Sequence, residues 1–507
     1  MMKLFKLTTL AAAVITLTAC ASTSQTTIAA DDSQSRKGLA AHPAELTYAE
    51  HKIIIPDAAK YRYQLDNGNV AYIVPDHSLP LVAINIGSRA GKYLLGTKNA
   101  GLAGLTASMM RDGGTRQMTP EELDEKLEYL ATSVSVSIGN TSSTAGMNTL
   151  STNLDESLDL LFDVIAEPRF DTERFKIKKN QFIEGMKRRN DDTRAIEGRV
   201  FSELRYGEDS YRNSQATETD INAVTVKRMK GFAVEVFASP NLVISVNGDV
   251  DPKTMVASLN KQIARLQKNV KYPPIPTEAN PAKPGLYGVD KDDVTQTRVR
   301  MFHPGPRRGD PQEFDIKVMN DILGGGGFTS RITKRIRSDE GLAYSAGSAY
   351  PLGVFYPGMY LVYFQSKNQS VPEAAKIALE EISRIQAEPV STQELNTAKQ
   401  AVISVLNERY SNAAKKAAAF AADELSQIPA NYWFDYEKNT ADVTVADVQK
   451  AAKDQLHPGK LRILLTGKLS EASEGDGENG GIEAVTGMKM HQVPLKDPMT
   501  LKPLPLN

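Results

Sequence analysis

The sequence predicts an α+β protein made of two homologous halves, and three observations carry that reading. First, segments recur at a fixed distance. "AEPRFDTERFKIKKNQFI" (166–183) answers "AEPVSTQELNTAKQAVI" (387–403), and "TVKRMKGFAVEVFASPNLVISVNG" (225–248) answers "TVADVQKAAKDQLHPGKLRILLTG" (444–467). The offsets, 221 and 219 residues, are nearly equal, which implies duplication of a whole domain. Second, each half mixes helix-period and strand-period runs, so each holds a sheet with packed helices. Third, the proline-rich stretch 269–285 reads as an extended linker between the halves, 46–268 and 286–469.

The elements follow in order. "AYIVPD" (71–76) and "PLVAINIGS" (80–88) predict a hairpin. "TPEELDEKLEYLA" (119–131) predicts a helix, with Thr119 as N-cap, Pro120 in the first turn and Glu122 closing a capping box. "TSVSVSIG" (132–139) alternates polar and apolar residues and predicts a half-exposed strand; "NLDESLDLLFDVIA" (153–166) predicts an amphipathic helix. In the first repeated pair, Glu173 and Glu394 open helices, and Ser391 with Glu394 has capping-box spacing. In the second pair, Thr-Val opens a helix, a proline stops it, and an apolar strand ends in Gly. Residues 470–507, with "SEGDGENGG", read as a tail that is largely disordered or draped on the surface.

Composition narrows function. The 507 residues carry 60 basic and 61 acidic side chains, for a net charge of −1, so no strong positive field favours nucleic acid. Lys3 and Lys6 precede the apolar run "LTTLAAAVITLTAC", a targeting segment over residues 1–20. Cleavage near Ala19 as an ordinary signal peptide fits this run. The sole cysteine, Cys20, in "LTAC" also resembles a bacterial lipobox, which implies cleavage before Cys20 and lipidation of its thiol. Residues 21–45 then form a flexible tether, and the body would sit on the periplasmic face of a Gram-negative outer membrane. With Cys20 lipidated, no thiol remains for disulfides or metal ligation. Nothing beyond the first twenty residues is long and apolar enough to span a bilayer.

The segment "LGGGGFTSRITKRIRSDEGLAYS" (323–345) runs four glycines into a basic helix. It is no phosphate loop, because Phe328 stands where the lysine should be; "GSRAGK" (87–92) is one residue short of that spacing. On spacing alone it also fits a solvated basic helix with a buried Tyr. The order of elements over about 50–469, together with this segment, resembles the pitrilysin/insulinase metallopeptidases, in particular short bacterial members akin to mitochondrial processing peptidase. The resemblance implies a clamshell of two homologous αβ halves around an unfolded peptide. It implies that Arg337 and Tyr344, seven apart with Gly341-Leu342-Ala343 before the tyrosine, act on the substrate. Arg offers a fixed charge and planar donors to a peptide carbonyl or developing oxyanion, and Tyr adds a hydroxyl. Gly326 and Gly327 would let the backbone bend there and meet substrate.

Active members of that family carry Gly-Leu-Ala-His-x-x-Glu-His on a helix in the first half. Here "GLAGLTAS" holds Gly104-Leu105-Thr106-Ala107-Ser108 instead. Gly104 and Ser108 replace the zinc-binding histidines and Ala107 the general base. Glu184, 76 positions after Ser108, matches the third-ligand place as a vestige, though a lone Glu in a basic helix is usually a surface ion pair. One carboxylate does not hold catalytic zinc. The six histidines (His42, His51, His77, His303, His457 and His491) include no pair at helical ligand spacing, and no Gly-x-Ser-x-Gly elbow supports a serine mechanism. This chain is therefore expected to bind no metal and to be inactive alone. The resemblance implies a non-catalytic, substrate-binding subunit of a heterodimeric peptidase, with zinc in a homologous partner and Arg337 and Tyr344 completing the site. The alternative is an inactive scaffold or peptide-binding lipoprotein on the same fold. The strand through Val134, Val136 and Ile138 would either extend a bound peptide by β-addition or serve as an ordinary sheet strand.

Overall fold

In the first half, the apolar runs assemble into one six-stranded sheet. Its strands are β1 (Arg62–Gln64), β2 (Val70–Pro75), β3 (Leu81–Ser88), β4 (Ser133–Ile138), β5 (Ser143–Leu150) and β6 (Leu242–Gly248), in the order β1-β2-β6-β3-β5-β4. A second six-stranded sheet holds β7 (Gly285–Asp290), β8 (Gln296–Gly305), β9 (Ala343–Ala349), β10 (Gly358–Lys367), β11 (Arg462–Gly467) and β12 (Met490–Gln492), in the order β12-β7-β11-β8-β10-β9. Laid side by side, the orders match strand for strand from β2 and β7 outward to β4 and β9. The repeat in sequence is thus a repeat of topology. These features come from a computed structural model that describes residues 53–506 apart from 98 and 278. The targeting segment 1–20 with Cys20, and the tether 21–45, lie outside the described residues. From Ile53 onward the chain is one compact unit.

The expected hairpin of 71–76 with 80–88 does not form. β6 lies between β2 and β3, parallel to the first and antiparallel to the second. β6 is buried along nearly its whole length, and a buried strand needs its backbone donors and acceptors paired on both edges, which β2 and β3 supply.

The helices cover one face of each sheet. In the first half these include α1 (Leu102–Asp112), α2 (Pro120–Tyr129), α3 (Leu154–Ala166) and α4 (Thr172–Lys187). α2 starts at the expected capping box of Thr119 and Glu122, and α3 buries Leu158, Leu161 and Ile165 in the core. In the second half the helix Thr392–Arg409 starts at the box of Ser391 and Glu394, and Val445–Gln455 at one of Thr444 and Asp447.

The opposite faces are covered by exchange. α5 (Thr193–Tyr206), from the first half, sets Ile196 and Leu204 against Phe302, Leu361 and Leu464 of the second sheet. Its buried Glu197 pairs with Arg298 at 3.1 Å and Arg300 at 3.0 Å. In return, the helix Ala413–Leu425 of the second half lays Phe420 on Tyr72 of β2, ring centroids 5.7 Å apart. Each half so lends one helix to the other.

The expectation of a largely disordered tail over 470–507 is corrected. Two short helices, Leu469–Glu474 and Ile482–Thr486, precede β12, which pairs in parallel with β7. The chain then crosses to the first half. Lys496 pairs with Glu203 at 2.7 Å, and Arg189 Nη1 donates to the Pro498 carbonyl at 3.0 Å. Its composition is polar, but Ile482, Val493 and Leu495 supply the apolar contacts that fix it.

Candidate functional site

The glycine-rich segment folds into two wide turns rather than one continuous α-helix. Residues Asp321–Gly325 and Lys334–Asp339 are π-helical; the Gly326 N–H donates to the Asp321 carbonyl at 2.8 Å, and the Glu340 N–H to the Arg335 carbonyl at 3.0 Å. Such turns are frequent at functional sites. Gly327 lies in the left-handed region at φ 59°, and its carbonyl accepts from the Ser330 hydroxyl at 2.7 Å. Gly326 accepts from Thr329 at 2.9 Å. The two glycines thus make the turn that presents Phe328. Gly341, at φ 64°, reverses the chain into β9.

These turns bring three side chains together. The Arg337 guanidinium lies 4.4 Å from the Phe328 ring centroid and 4.6 Å from that of Tyr344. Both rings are open to solvent, Phe328 at 62% and Tyr344 at 84% exposure. Cation–π contact holds the guanidinium plane between them. Arg337 makes no ion pair or hydrogen bond among the described residues, so its five N–H donors remain available. Its neighbours are tied down. Arg331 grips Glu394 with two bonds, 2.7 and 3.1 Å, and Arg335 pairs with Glu380 and buried Glu381. Burial pushes the Glu394 carboxyl up, but the hydrogen bonds from Arg331 and Ser391 outweigh this and hold it at about 2. Among the described residues Asp321 has no side-chain partner, and burial pushes it up to about 6. The spacing of Arg337 and Tyr344 was visible in the sequence. Phe328 was read only as a missing lysine, and the bond of Arg331 to Glu394 spans 63 residues with no local signal.

At the place of the zinc helix, α1 packs against α4. A Cβ on Gly104 would stand 3.1 Å from the edge of the Phe182 ring, so a side chain there needs that ring to shift; both residues line an open pocket of about 260 Å³. Ala107 is buried. The Ser108 hydroxyl donates to Asp112 at 3.2 Å, and Asp112 pairs with Lys178 of α4 at 2.7 Å. Glu184 points to solvent and pairs with Lys187 at 2.6 Å. Among the described residues no group of three His, Cys, Asp or Glu side chains is placed to hold a metal ion. The donor set does not fit catalytic zinc.

β4 and β9 are edge strands at matching places of the two sheets. Val134 and Ile138 turn into the core and Val136 is half-buried, so the edge offers its backbone and Ser133, Ser135 and Ser137. Tyr344 stands on β9, where pairing with β10 slips between Phe364 and Ser366. His303 and His457, far apart in sequence, lie with ring centroids 5.2 Å apart. His303 Nδ1 meets the Pro304 carbonyl and Nε2 accepts from the His457 N–H; burial pushes it down to about 4, as suits a neutral core histidine. Among the described residues no helix is long and apolar enough to cross a membrane.

Comparison with known proteins gives the same picture. Residues 76–216 match the model described as Insulinase (Peptidase family M16), and residues 223–402 match Peptidase M16 inactive domain. A "Non-peptidase homolog YmxG" of Helicobacter pylori is 25% identical over 331 residues, 64% of this chain and 74% of that protein. "Uncharacterized zinc protease ML0855" of Mycobacterium leprae is 27% identical over 39% of this chain, which spans less than half (45%) of that relative. Among solved structures, the peptidase M16 inactive domain from Pseudomonas fluorescens has a TM-score of 0.72 at 21% identity, covering 80% of this chain and 97% of that one. The periplasmic protease PqqL from Escherichia coli has a TM-score of 0.68 at 16% identity, covering 86% and 50%. At these identities the structures show a shared fold.

Proposed function

The chain belongs to the insulinase (M16) family of peptidases, and from that premise we propose that it is a non-catalytic, substrate-binding subunit of a heterodimeric zinc peptidase. The observation that carries this is Arg337, unpaired among the described residues and held open between Phe328 and Tyr344, in a chain whose corresponding first-half helix has Gly104, Ala107 and Ser108 in place of metal donors. A guanidinium kept rigid and free of carboxylates is suited to a peptide carbonyl as it gains negative charge. Zinc, with its bound water, belongs to a homologous partner subunit. An unfolded peptide would lie along the free edge of β9 or β4, taking backbone hydrogen bonds. Cys20, lipidated, would anchor the subunit at the periplasmic face of the outer membrane, and this chain binds no cofactor.

The test uses native material. The membrane is solubilised gently, the protein is captured, and the eluate is assayed for chelator-sensitive peptide cleavage beside the purified chain. Activity in the eluate alone is expected. Arg337→Ala should lower turnover of that complex by about 10²–10³-fold while the subunits still co-purify. Wild-type turnover in the variant complex would defeat the proposal, and absence of activity from both samples would favour the scaffold role.

A further inference from the structure

Away from the Arg337 site, a cavity of about 600 Å³ lies where the two halves meet. It is walled by the C-terminal ends of α5 and of the helix Ala413–Leu425, by the β9–β10 turn (351–357) and by the start of the linker. The volume is that of a small-ligand site. Its walls are aromatic, with Tyr93, Tyr206, Tyr272, Phe355 and Tyr356, and they include two cations, Arg89 and Arg205. No carboxylate is among the lining residues.

The two guanidiniums are poorly compensated. Arg205 is mostly removed from water and makes no hydrogen bond or ion pair among the described residues; its one polar contact is with the Tyr206 ring, 4.7 Å away. Burial and the nearby Arg212 push it below the usual arginine range, while Tyr206 and Tyr356 oppose this. Arg89 gives one Nη2 bond to the Glu424 carbonyl at 3.1 Å, but its buried Nε–H has no partner. Helix C-termini carry partial negative charge and ease both cations, yet a dipole end supplies at most about half a unit charge. A buried charge without a partner is costly, and replacing it by an apolar side chain of like volume is often stabilising. A chain keeps such a group where a ligand completes it.

We infer that this cavity is a binding site for a carboxylate that carries an aromatic group, with Arg205 and Arg89 on the carboxylate and Tyr206 and Tyr356 on the ring. Either the free C-terminus of a peptide ending in an aromatic residue or a small aromatic acid has this chemistry. The site stands apart from the Arg337 cluster, and its test needs no partner subunit.

The experiment is thermal unfolding and calorimetric titration of the purified full chain with three probes. N-acetyl-phenylalanine should raise Tm and bind, and N-acetyl-phenylalaninamide, which lacks the charge, should not. A tetrapeptide ending in a free phenylalanine carboxylate separates the two sources: binding tighter than the small acid assigns the site to peptide ends, and weaker binding assigns it to free acids. Arg205→Met should raise the Tm of the unliganded chain and weaken N-acetyl-phenylalanine at least about tenfold. Equal shifts from acid and amide, or no shift from the acid at millimolar concentration, would overturn the inference on the wild-type chain, whether or not the variant folds.

Discussion

The two halves share one topology and treat the same region of it in opposite ways. In the first half, the helix that would carry metal ligands offers no donor set: Gly104 has no side chain and lies beside the Phe182 ring, Ala107 is buried, and Asp112 is spent on Lys178. In the second half, wide π-turns hold Phe328, Arg337 and Tyr344 together at the surface, while the neighbouring Arg331 and Arg335 are paired with Glu394, Glu380 and Glu381.

The largest effect comes from trying to abolish that difference. Gly104→His, Ala107→Glu and Ser108→His together restore the ligand pattern, yet the expected zinc content by elemental analysis stays below one per chain, because the Phe182 ring must first move away from position 104. Adding Phe182→Ala should bring zinc toward one per chain. Full loading with Phe182 in place would break the comparison.

Next comes the exchange of helices. Glu197, 1% exposed, is the buried centre of an ion cluster that fixes α5 on the second sheet. Glu197→Ala should cost about 3–5 kcal/mol, since it leaves two arginines facing each other. The reciprocal helix Ala413–Leu425 is held by Phe420 and by a more exposed acid, Glu424, bonded to Tyr72 at 2.8 Å. Glu424→Ala should cost about 1 kcal/mol. Urea unfolding of both variants measures the gap, and equal costs would mean that the halves are locked symmetrically.

A smaller difference separates the repeated glutamates. Glu394 binds Arg331 and caps its own helix, whereas Glu173 is exposed beside Lys176. Glu394→Gln should cost about 1–2 kcal/mol at neutral pH, since part of the carboxylate still meets water, while Glu173→Gln should leave stability unchanged. Because the folded-state pKa of Glu394 is depressed, its contribution is complete above the ordinary glutamate range and is lost as pH falls toward about 2. The variant's acid limb should therefore be flatter there.

Asp321 gives an effect of the opposite sign. Its raised pKa favours the protonated form in the fold, so stability is present below the ordinary aspartate range and is lost as pH rises through about 6. Asp321→Asn should raise Tm by a few degrees at pH 8 and leave it unchanged at pH 4. A gain equal at both values would point to packing rather than ionisation.

What the sequence determined by itself was local or periodic. The capping boxes of Thr119 with Glu122 and Ser391 with Glu394 join residues three apart, so their chemistry is written contiguously. The duplication shows as a fixed offset. The loss of metal ligands shows as side chains that no fold turns into donors, and the seven-residue spacing of Arg337 and Tyr344 brought both to attention. The tertiary structure decided what depends on distant surfaces. β6 entered between β2 and β3 because a buried strand needs its backbone hydrogen-bonding groups paired on both edges. The polar tail became ordered because a groove between the halves accepts a few of its apolar residues. Phe328 joined Arg337 only through two turns of unusual width, and Phe182 came to lie beside Gly104 from a helix about eighty residues further along the chain. Contacts of that kind carry no signal in local spacing, since the energy that selects them is burial shared between segments that are neighbours only once folded.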